Sequence, residues 1–240
     1  MIPKIIHFVW LGGRPLNPLG ERCLASWRKH LPGWEIQRWD ETNSPLGHPF
    51  VKKMLGLKKY AFASDYIRLH ALAEQGGLYL DTDMELIGDV RPLLSGSCVF
   101  AFGSAQNRPS KNSASLGFFA AVPHHPWICE LREGYGNLDR AVMNTTLATE
   151  SLKRRGLAGL RDAPPHQEFW DLGDLRIYHS DFFYPSKERM PVHAPLGVHH
   201  AEASWEGQAD PLPWWRRLLD LRLDRRILRP VEKMVKALRP

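Results

Sequence analysis

The stretch GGLYLDTDMEL, residues 76–86, places a short apolar run between two glycines and a pair of aspartates. The apolar run is typical of a buried strand, and the glycines are typical of the end of a preceding helix. Asp81 and Asp83 follow where the run stops, so we expect them at the carboxyl end of the strand. In open α/β sheets, that edge is where ligands bind.

The spacing of the two aspartates indicates a metal site. In an extended chain residues i and i+2 point to the same side, so Asp81 and Asp83 are predicted to face one way, with Thr82 turned away. Two carboxylates this close repel each other unless a cation lies nearby. Mg²⁺ and Mn²⁺ bind such oxygens and keep positions for water and substrate phosphate. Taken alone, however, the pair is more typical of a solvated turn. The interpretation as a metal site therefore depends on the surrounding sequence.

Strand and helix patterns alternate along the rest of the chain. The stretch PKIIHFVWLGG (3–13) is typical of a strand closed by a glycine turn, and PLGERCLASWRKHL (18–31) has helical spacing of its apolar residues. A longer helical pattern covers 50–75 and stops at the glycines. This alternation predicts an α/β fold with a mostly parallel sheet.

Composition is that of an ordinary globular protein: of 240 residues, 43% are hydrophobic and 24% are charged. No run of 18 or more apolar residues occurs, so the sequence predicts no membrane-spanning helix. The apolar stretch at 5–11 is short for a signal peptide and lacks a cleavage site, and we interpret it as a buried strand. Three cysteines without metal-ligand spacing predict a packing role and a cytoplasmic location.

The net charge of +6 is concentrated in one segment. Residues 214–240 hold nine basic and three acidic residues, so the rest of the chain is about neutral and nucleic acid is not expected as a partner. A soft boundary divides the chain into a main domain, 1–210, and a basic tail, 211–240. Its tryptophans and arginines at helical spacing predict amphipathic helices on the inner face of a membrane. The alternative is a helix docked on the core with a basic outer face.

The helix before the glycines carries a second charged pair. Asp65 and Arg68 are three residues apart and share a helical face, which alone is typical of a surface ion pair. Together with the aspartates they form the string S-D-x-x-R-x-x-x-L-x-x-x-G-G-x-Y-x-D-x-D over 64–83. This string resembles the glycosyltransferases with a sugar-binding region containing the DxD motif, which include α-1,6-mannosyltransferases and capsular polysaccharide transferases and are related to the glucosyltransferase domains of clostridial toxins.

Three further stretches resemble the same family, in the same order along the chain. IPKIIHFVWLGG (2–13) resembles its first strand, and GFFAAVPHHP (117–126) resembles a middle strand that ends in a His-Pro pair. VHHAEASW (198–205) resembles its C-terminal His-His-x-x-x-Ser-Trp element. The resemblance thus extends over about residues 2 to 205.

The resemblance implies the A-type glycosyltransferase fold, a single Rossmann-like domain that binds a nucleotide sugar through Mn²⁺ or Mg²⁺. It implies that Asp83 binds the metal directly and that Asp81 contacts the ribose and the metal. Asp65 would bind ribose or nucleobase, and Arg68 would neutralise the diphosphate. Trp10 matches a tryptophan that stacks on the base, although a core position at a strand end is an equal alternative.

The family also implies a further metal ligand near the C-terminal histidines. His200 is the preferred candidate because it keeps the family's spacing to a small residue downstream. His199, Glu202 and Ser204 are the alternatives. Trp205 would cap the diphosphate as part of a lid.

Two departures from the family fall where the sugar and acceptor are expected to bind. Leu116 stands where the family often has asparagine, with Ser115 and Asn112 nearby, and 144–145 replaces a Gly-Pro turn. Tyr79 has a spacing typical of packing, but its position in the family often contacts the nucleotide.

The implied reaction is transfer of a hexose, with retention, to a glycan or glycolipid hydroxyl in surface polysaccharide or lipo-oligosaccharide synthesis. A UDP-sugar is favoured because HFVWLGG (7–13) most resembles UDP-using relatives. GDP-mannose and hydrolysis of a nucleotide sugar are the alternatives. A non-catalytic membrane- or glycan-binding module is disfavoured, since the nucleotide-site residues are all present.

Overall fold

A seven-stranded mixed sheet organises the residues that the computed structural model describes, 1–103, 113–157, 166–185 and 190–201. The strands of this part of the chain are β1 (Ile5–Val9), β2 (Glu35–Trp39), β3 (Gly77–Leu80), β4 (Met84–Leu86), β5 (Cys98–Gly103), β6 (Ser113–Ala121), β7 (Phe169–Asp171), β8 (Arg176–Tyr178) and β9 (Gly197–His199). The α-helices are α1 (Pro18–His30), α2 (Pro49–Gly56), α3 (Tyr60–Gln75), α4 (Pro126–Glu133) and α5 (Asn144–Arg154).

The sheet has the order β2-β1-β3-β6-β5-β8-β7, and β4 and β9 form a separate two-stranded ribbon. β1 pairs in parallel with β2 and β3, and β5 pairs in parallel with β8. β6 runs antiparallel to both β3 and β5, and β7 runs antiparallel to β8. The predicted α/β fold and mixed sheet are confirmed, with more antiparallel pairing than the alternation of patterns indicated.

Each face of the sheet is covered by helices. α2, α3, α4 and α5 pack on one face through buried side chains such as Met54, Ile67 and Trp127. α1 packs on the other face through Cys23, Leu24 and Trp27. Within the described ranges, no helix is long and apolar enough to cross a bilayer. The predicted boundary at residue 210 and the basic tail at 211–240 lie outside the described residues.

The helical pattern over 50–75 forms two helices instead of one. α2 ends at Gly56, and the chain turns through 57–59 before α3 begins. Lys58 has a φ of 55°, the left-handed conformation that ends helices, and the N–H of Lys59 donates to the carbonyl of Met54 at 2.8 Å. Glycine is a poor helix former, so the break falls at the weakest point of the pattern.

The two glycines end α3, as predicted, and they also admit β3 into the sheet. Gly76 has a φ of 64° and donates its N–H to Leu72 O at 3.0 Å. Gly77 has a φ of 104°, and a Cβ built on it would lie 2.6 Å from Ile5 O. Only glycine fits where β1 approaches this closely.

A buried histidine on β1 holds the same junction. The Trp39 indole N–H donates to His7 Nδ1 at 3.1 Å, so the proton of the neutral ring is on Nε2, which lies 2.8 Å from Gly76 O. Burial lowers the pKa of His7 to about 4, although the hydrogen bond to Gly76 acts in the other direction. The neutral ring therefore links β1, β2 and the end of α3.

We expect Gly77→Ala to destabilise the fold by about 3 kcal/mol or more, because the methyl group combines an unfavourable φ with a clash against backbone. Gly33→Ala is the matched control: its φ is 78°, but a Cβ there meets nothing within 4 Å. The control should cost only about 1–2 kcal/mol. Urea unfolding of both variants gives the two values. Equal losses would mean that the approach of Ile5 O does not limit the substitution.

Candidate functional site

A turn, and not an extended strand, brings the two aspartates together. β3 ends at Leu80, and the N–H of Met84 donates to the carbonyl of Asp81 at 2.9 Å, which closes a turn over 81–84. The predicted extended backbone at the aspartates was therefore wrong, but Asp81 and Asp83 do face one way, toward His199. Their place at the carboxyl end of β3 is as predicted.

The carboxylates meet a histidine from the far end of the described chain. His199 Nε2 lies 3.5 Å from Asp81 Oδ2 and 3.3 Å from Asp83 Oδ1. One potential ligand atom from each residue lies within 4.8 Å of the others, and all three side chains are partly exposed. Among the described residues, Asp81, Asp83 and His199 form the one group of at least three acidic, histidine or cysteine side chains that could hold a metal ion.

The ribbon of β4 and β9 delivers His199 to this place. Met84 is opposite His199 in the register, and the N–H of His200 donates to Asp83 O at 3.0 Å. Adjacent residues of an extended segment point to opposite sides, so only one histidine can face the aspartates. That residue is His199.

The structure does not place His200, the preferred candidate for the metal ligand, in the cluster with the aspartates. His200 Nε2 lies 2.8 Å from Glu85 Oε2. Arg22 Nη2 lies 3.2 Å from the same carboxylate oxygen. These contacts link β4, α1 and the end of the ribbon. His200 therefore holds the ribbon on the side away from the aspartates.

Arg68 connects α3 to the aspartate turn. Its Nη1 lies 3.0 Å from Asp81 Oδ1 and donates to Leu116 O, and its Nη2 lies 3.3 Å from Asp65 Oδ1. The guanidinium also covers the Tyr79 ring, with 4.6 Å between Cζ and the ring centroid. The Arg68 side chain is only 9% exposed, which excludes the alternative of a surface ion pair.

A bulge in β6 supplies the carbonyls that hold this network. Against β5, Phe119 is opposite Phe100 but Ser115 is opposite Ala101, so residues 116–118 have no partner there. Arg68 binds the released Leu116 carbonyl, and the Asp81 N–H donates to Gly117 O at 2.9 Å. Bulges are common beside active sites because they redirect the chain.

The charges of the site depend on one another. Burial alone would raise the pKa of Asp81, but Arg68 and His199 outweigh it and lower that pKa. Burial alone would lower the pKa of His199, but Asp81 and Asp83 raise it. Burial raises the pKa of Asp65 to about 6 against the opposing effects of Arg68 and the Asn144 N–H. Asp81 is therefore the more firmly ionised of Arg68's two partners.

The other predicted residues have different surroundings. Trp10 lies partly exposed after β1, and its Nε1–H donates to Arg14 O at 2.7 Å. Tyr79 is 2% exposed and donates to Asp81 Oδ1 at 3.2 Å, so it orients Asp81 and is not open to a nucleotide. The remaining predicted residues, Glu202, Ser204 and Trp205, lie outside the described residues.

Asn144, at one of the two departures from the family pattern, contacts a different residue of the site than expected. The backbone N–H of Asn144, at the start of α5, donates to Asp65 Oδ2 at 3.2 Å. The 144–145 segment was expected at the sugar and acceptor, but Asn144 contacts Asp65, which is predicted to bind the ribose or nucleobase.

Sequence reasoning missed Gly117 and Tyr184. A Cβ on Gly117 would lie 2.7 Å from Asp81 Oδ2 and 3.0 Å from Tyr184 Oη. Glycine inside a strand pattern is a known mark of a bulge or close approach, and that signal was present in SLGFF (115–119). No local pattern singled out Tyr184.

Comparison with known proteins agrees with this geometry. The family described as "Glycosyltransferase sugar-binding region containing DXD motif" matches residues 20–100. Human alpha-1,4-N-acetylglucosaminyltransferase is 28% identical over 125 residues, which are 52% of this chain and 33% of the human protein. A glycosyltransferase involved in the glycosylation of the major capsid of PBCV-1 is 11% identical with a TM-score of 0.51, over 86% of this chain and 97% of that chain.

These matches confirm two predictions. The family match and the human relative confirm the resemblance to the DxD glycosyltransferases, a family of enzymes. The likeness to the glycosyltransferase involved in glycosylation of the PBCV-1 major capsid confirms the A-type fold. The match spans about a third of the human relative's length.

We expect Arg68→Met to destabilise the fold by about 3 kcal/mol or more, because Asp65 and Asp81 would lose their buried cation. Arg91→Met is the control, since the Arg91–Asp89 ion pair is exposed and should contribute little. Urea unfolding at pH 7 measures both variants. Equal stability of the two would show that Arg68 does not compensate the carboxylates.

Proposed function

We propose that the chain is a metal-dependent glycosyltransferase that moves a hexose from a nucleotide sugar to an acceptor hydroxyl. The proposal rests on the cluster of Asp81, Asp83 and His199, whose potential ligand atoms lie within 4.8 Å of one another. The family match over 20–100 includes both aspartates and supports the same reading.

The chemistry of the cluster fits a divalent cation. Two carboxylates and an imidazole are suitable ligands, and the imidazole favours Mn²⁺ over Mg²⁺. Asp81 Oδ2 packs so close to Gly117 that only glycine fits there, since a Cβ would lie 2.7 Å from that oxygen. The three ligand side chains are between 16% and 25% exposed, so a substrate can reach them. Asp81, Asp83 and His199 would hold the cation.

With the cation in place, the site would gain positive charge that offsets the charge developing on a departing diphosphate. Arg68 contributes indirectly, since its guanidinium is buried and bound to Asp81, Asp65 and Leu116 O. It holds the carboxylate of Asp81 ionised and in a fixed direction, which leaves Asp81 Oδ2 facing His199. We therefore assign Arg68 to preorganisation of the site, not to direct contact with phosphate.

The nucleotide is proposed to lie between Trp10 and the aspartate turn. Trp10 follows β1, the parallel neighbour of β3, so both lie at carboxyl ends of adjacent strands. Its partly exposed ring suits stacking on a base, and we favour uracil, with GDP-mannose as the alternative donor. The side chain of Asp65 is only 12% exposed, so only a small part of it would be available to contact the ribose.

The transferred hexose would keep its anomeric configuration, and the acceptor would be a glycan or glycolipid of a surface polysaccharide or lipo-oligosaccharide. Retention is what the family resemblance implies, and we favour substitution on the face from which the diphosphate leaves. Hydrolysis of the nucleotide sugar is the second candidate, since the same cluster would serve water as an acceptor. Transfer to an added acceptor, measured beside sugar release, separates the two reactions.

We expect Asp83→Asn and His199→Ala to weaken Mn²⁺ binding at least tenfold while the fold is retained, since each removes a ligand. His200→Ala is the matched control and should retain most of the affinity. Calorimetric titration with Mn²⁺ measures binding, and turnover of UDP-hexoses with and without chelator measures the activity. Full turnover in chelator, or a larger loss in the His200 variant, would contradict the assignment.

The basic tail, 211–240, is proposed to bind an anionic membrane, which would bring the site to a lipid-linked acceptor. Its nine basic residues within 214–240 carry the proposal. Removal of 211–240 should abolish flotation with phosphatidylglycerol liposomes and leave Mn²⁺ binding unchanged. Equal flotation of both proteins would show that the tail does not carry membrane binding.

A further inference from the structure

Two neutral hydroxyl groups, those of Ser115 and Tyr184, lie beside the cluster. We propose that the hydroxyl pair of Ser115 and Tyr184 binds a hydroxyl group of the hexose carried by the donor, and thereby selects which hexose is accepted. This inference rests on the proposed function, because it assigns the sugar's place within the same site. The DxD pattern contains neither residue.

Ser115 lies where β6 opens toward the site. Among residues 114–121, whose burial the structure describes, Ser115 is the one that is not buried. It precedes the bulge at 116–118, whose carbonyls hold Arg68 and Asp81. The bulge that builds the charged part of the site therefore also places this hydroxyl beside it.

Tyr184 reaches the same point from the segment that follows the 3-10 turn Ser180–Phe182. The Ser115 hydroxyl donates to Tyr184 Oη, and the Tyr184 ring lies 5.3 Å from the His199 ring, centroid to centroid. The side chains of Ser115 and Tyr184 are thus paired with each other and adjacent to the metal cluster.

Gly117 lets Tyr184, Asp81 and His199 approach the same point of the backbone. A Cβ on Gly117 would be 2.7 Å from Asp81 Oδ2, 3.0 Å from Tyr184 Oη and 3.2 Å from His199 Cδ2. The carboxylate oxygen, the phenol oxygen and the imidazole therefore converge on the Cα of Gly117, closer than a methyl group there would allow. A group held by the cluster would have Tyr184 Oη as a neighbour.

The chemistry of the pair suits a sugar hydroxyl better than a phosphate. After their mutual hydrogen bond, the two hydroxyls retain one donor hydrogen and several lone pairs, so the pair can both donate and accept. A tyrosine phenol ordinarily has a pKa of about 10, so its hydroxyl is neutral near pH 7. A nucleotide sugar carries hydroxyls on both the ribose and the hexose, and the ribose is proposed to lie toward Trp10 and Asp65, which leaves the hexose for this pair.

The test compares binding of a nucleoside diphosphate with binding of the intact nucleotide sugar. Calorimetry with Mn²⁺ would use UDP against UDP-glucose and UDP-galactose, and GDP against GDP-mannose. We expect Tyr184→Phe and Ser115→Ala to keep the affinity for the diphosphate within twofold of wild type. The affinity for the preferred nucleotide sugar should fall about tenfold, the loss typical of one hydrogen bond to a substrate hydroxyl.

Tyr178→Phe is the matched control, because Tyr178 Oη also donates a buried hydrogen bond, to Leu93 O at 3.0 Å, away from the cluster. It should change neither affinity. Equal loss of diphosphate and nucleotide sugar in Tyr184→Phe would overturn the inference, since Tyr184 would then act on the metal through His199. Unchanged affinity for both ligands in Tyr184→Phe and Ser115→Ala would also overturn it. A wild-type chain that binds none of the nucleotides would instead refute the proposed function, and the inference with it.

Discussion

The guanidinium of Arg68 is the contact on which the candidate site depends. It joins three elements: α3, the aspartate turn and the bulge of β6. A buried cation with two carboxylates and a carbonyl is stable only when all partners are present. The same requirement fixes the direction of Asp81, because one of its oxygens is used by Arg68 and Tyr79 and the other is left for His199.

The parts of this arrangement that are local could be predicted from the sequence. The end of α3 at Gly76 and the burial of β3 follow from glycine conformation and apolar patterning, which act over a few residues. The charges of Asp65 and Arg68 gained meaning only with the whole string over 64–83, because a helical i,i+3 pair is common at surfaces. The fold and the two aspartates of the candidate metal cluster were therefore predictable, and the family resemblance located them.

The parts that depend on distant pairing could not be predicted. The choice between His199 and His200 is set by the register of β9 on β4, and a shift of one residue reverses it. The bulge at 116–118 depends on β5 pairing with both sides of the irregularity, while β3 continues along β6. The split of the helical pattern after Gly56 was not predicted, because an isolated glycine weakens a helix but is often tolerated inside one.

The ribbon of β4 and β9 has a further consequence for how the protein folds. Glu85 and His200, which hold its outer side, are 115 residues apart in the chain. Closing a loop of that length costs conformational entropy that two strands of three residues offset only in part. A cation shared by Asp83 and His199 would act as a cross-link over that loop, so occupancy of the site and order of the ribbon would rise and fall together.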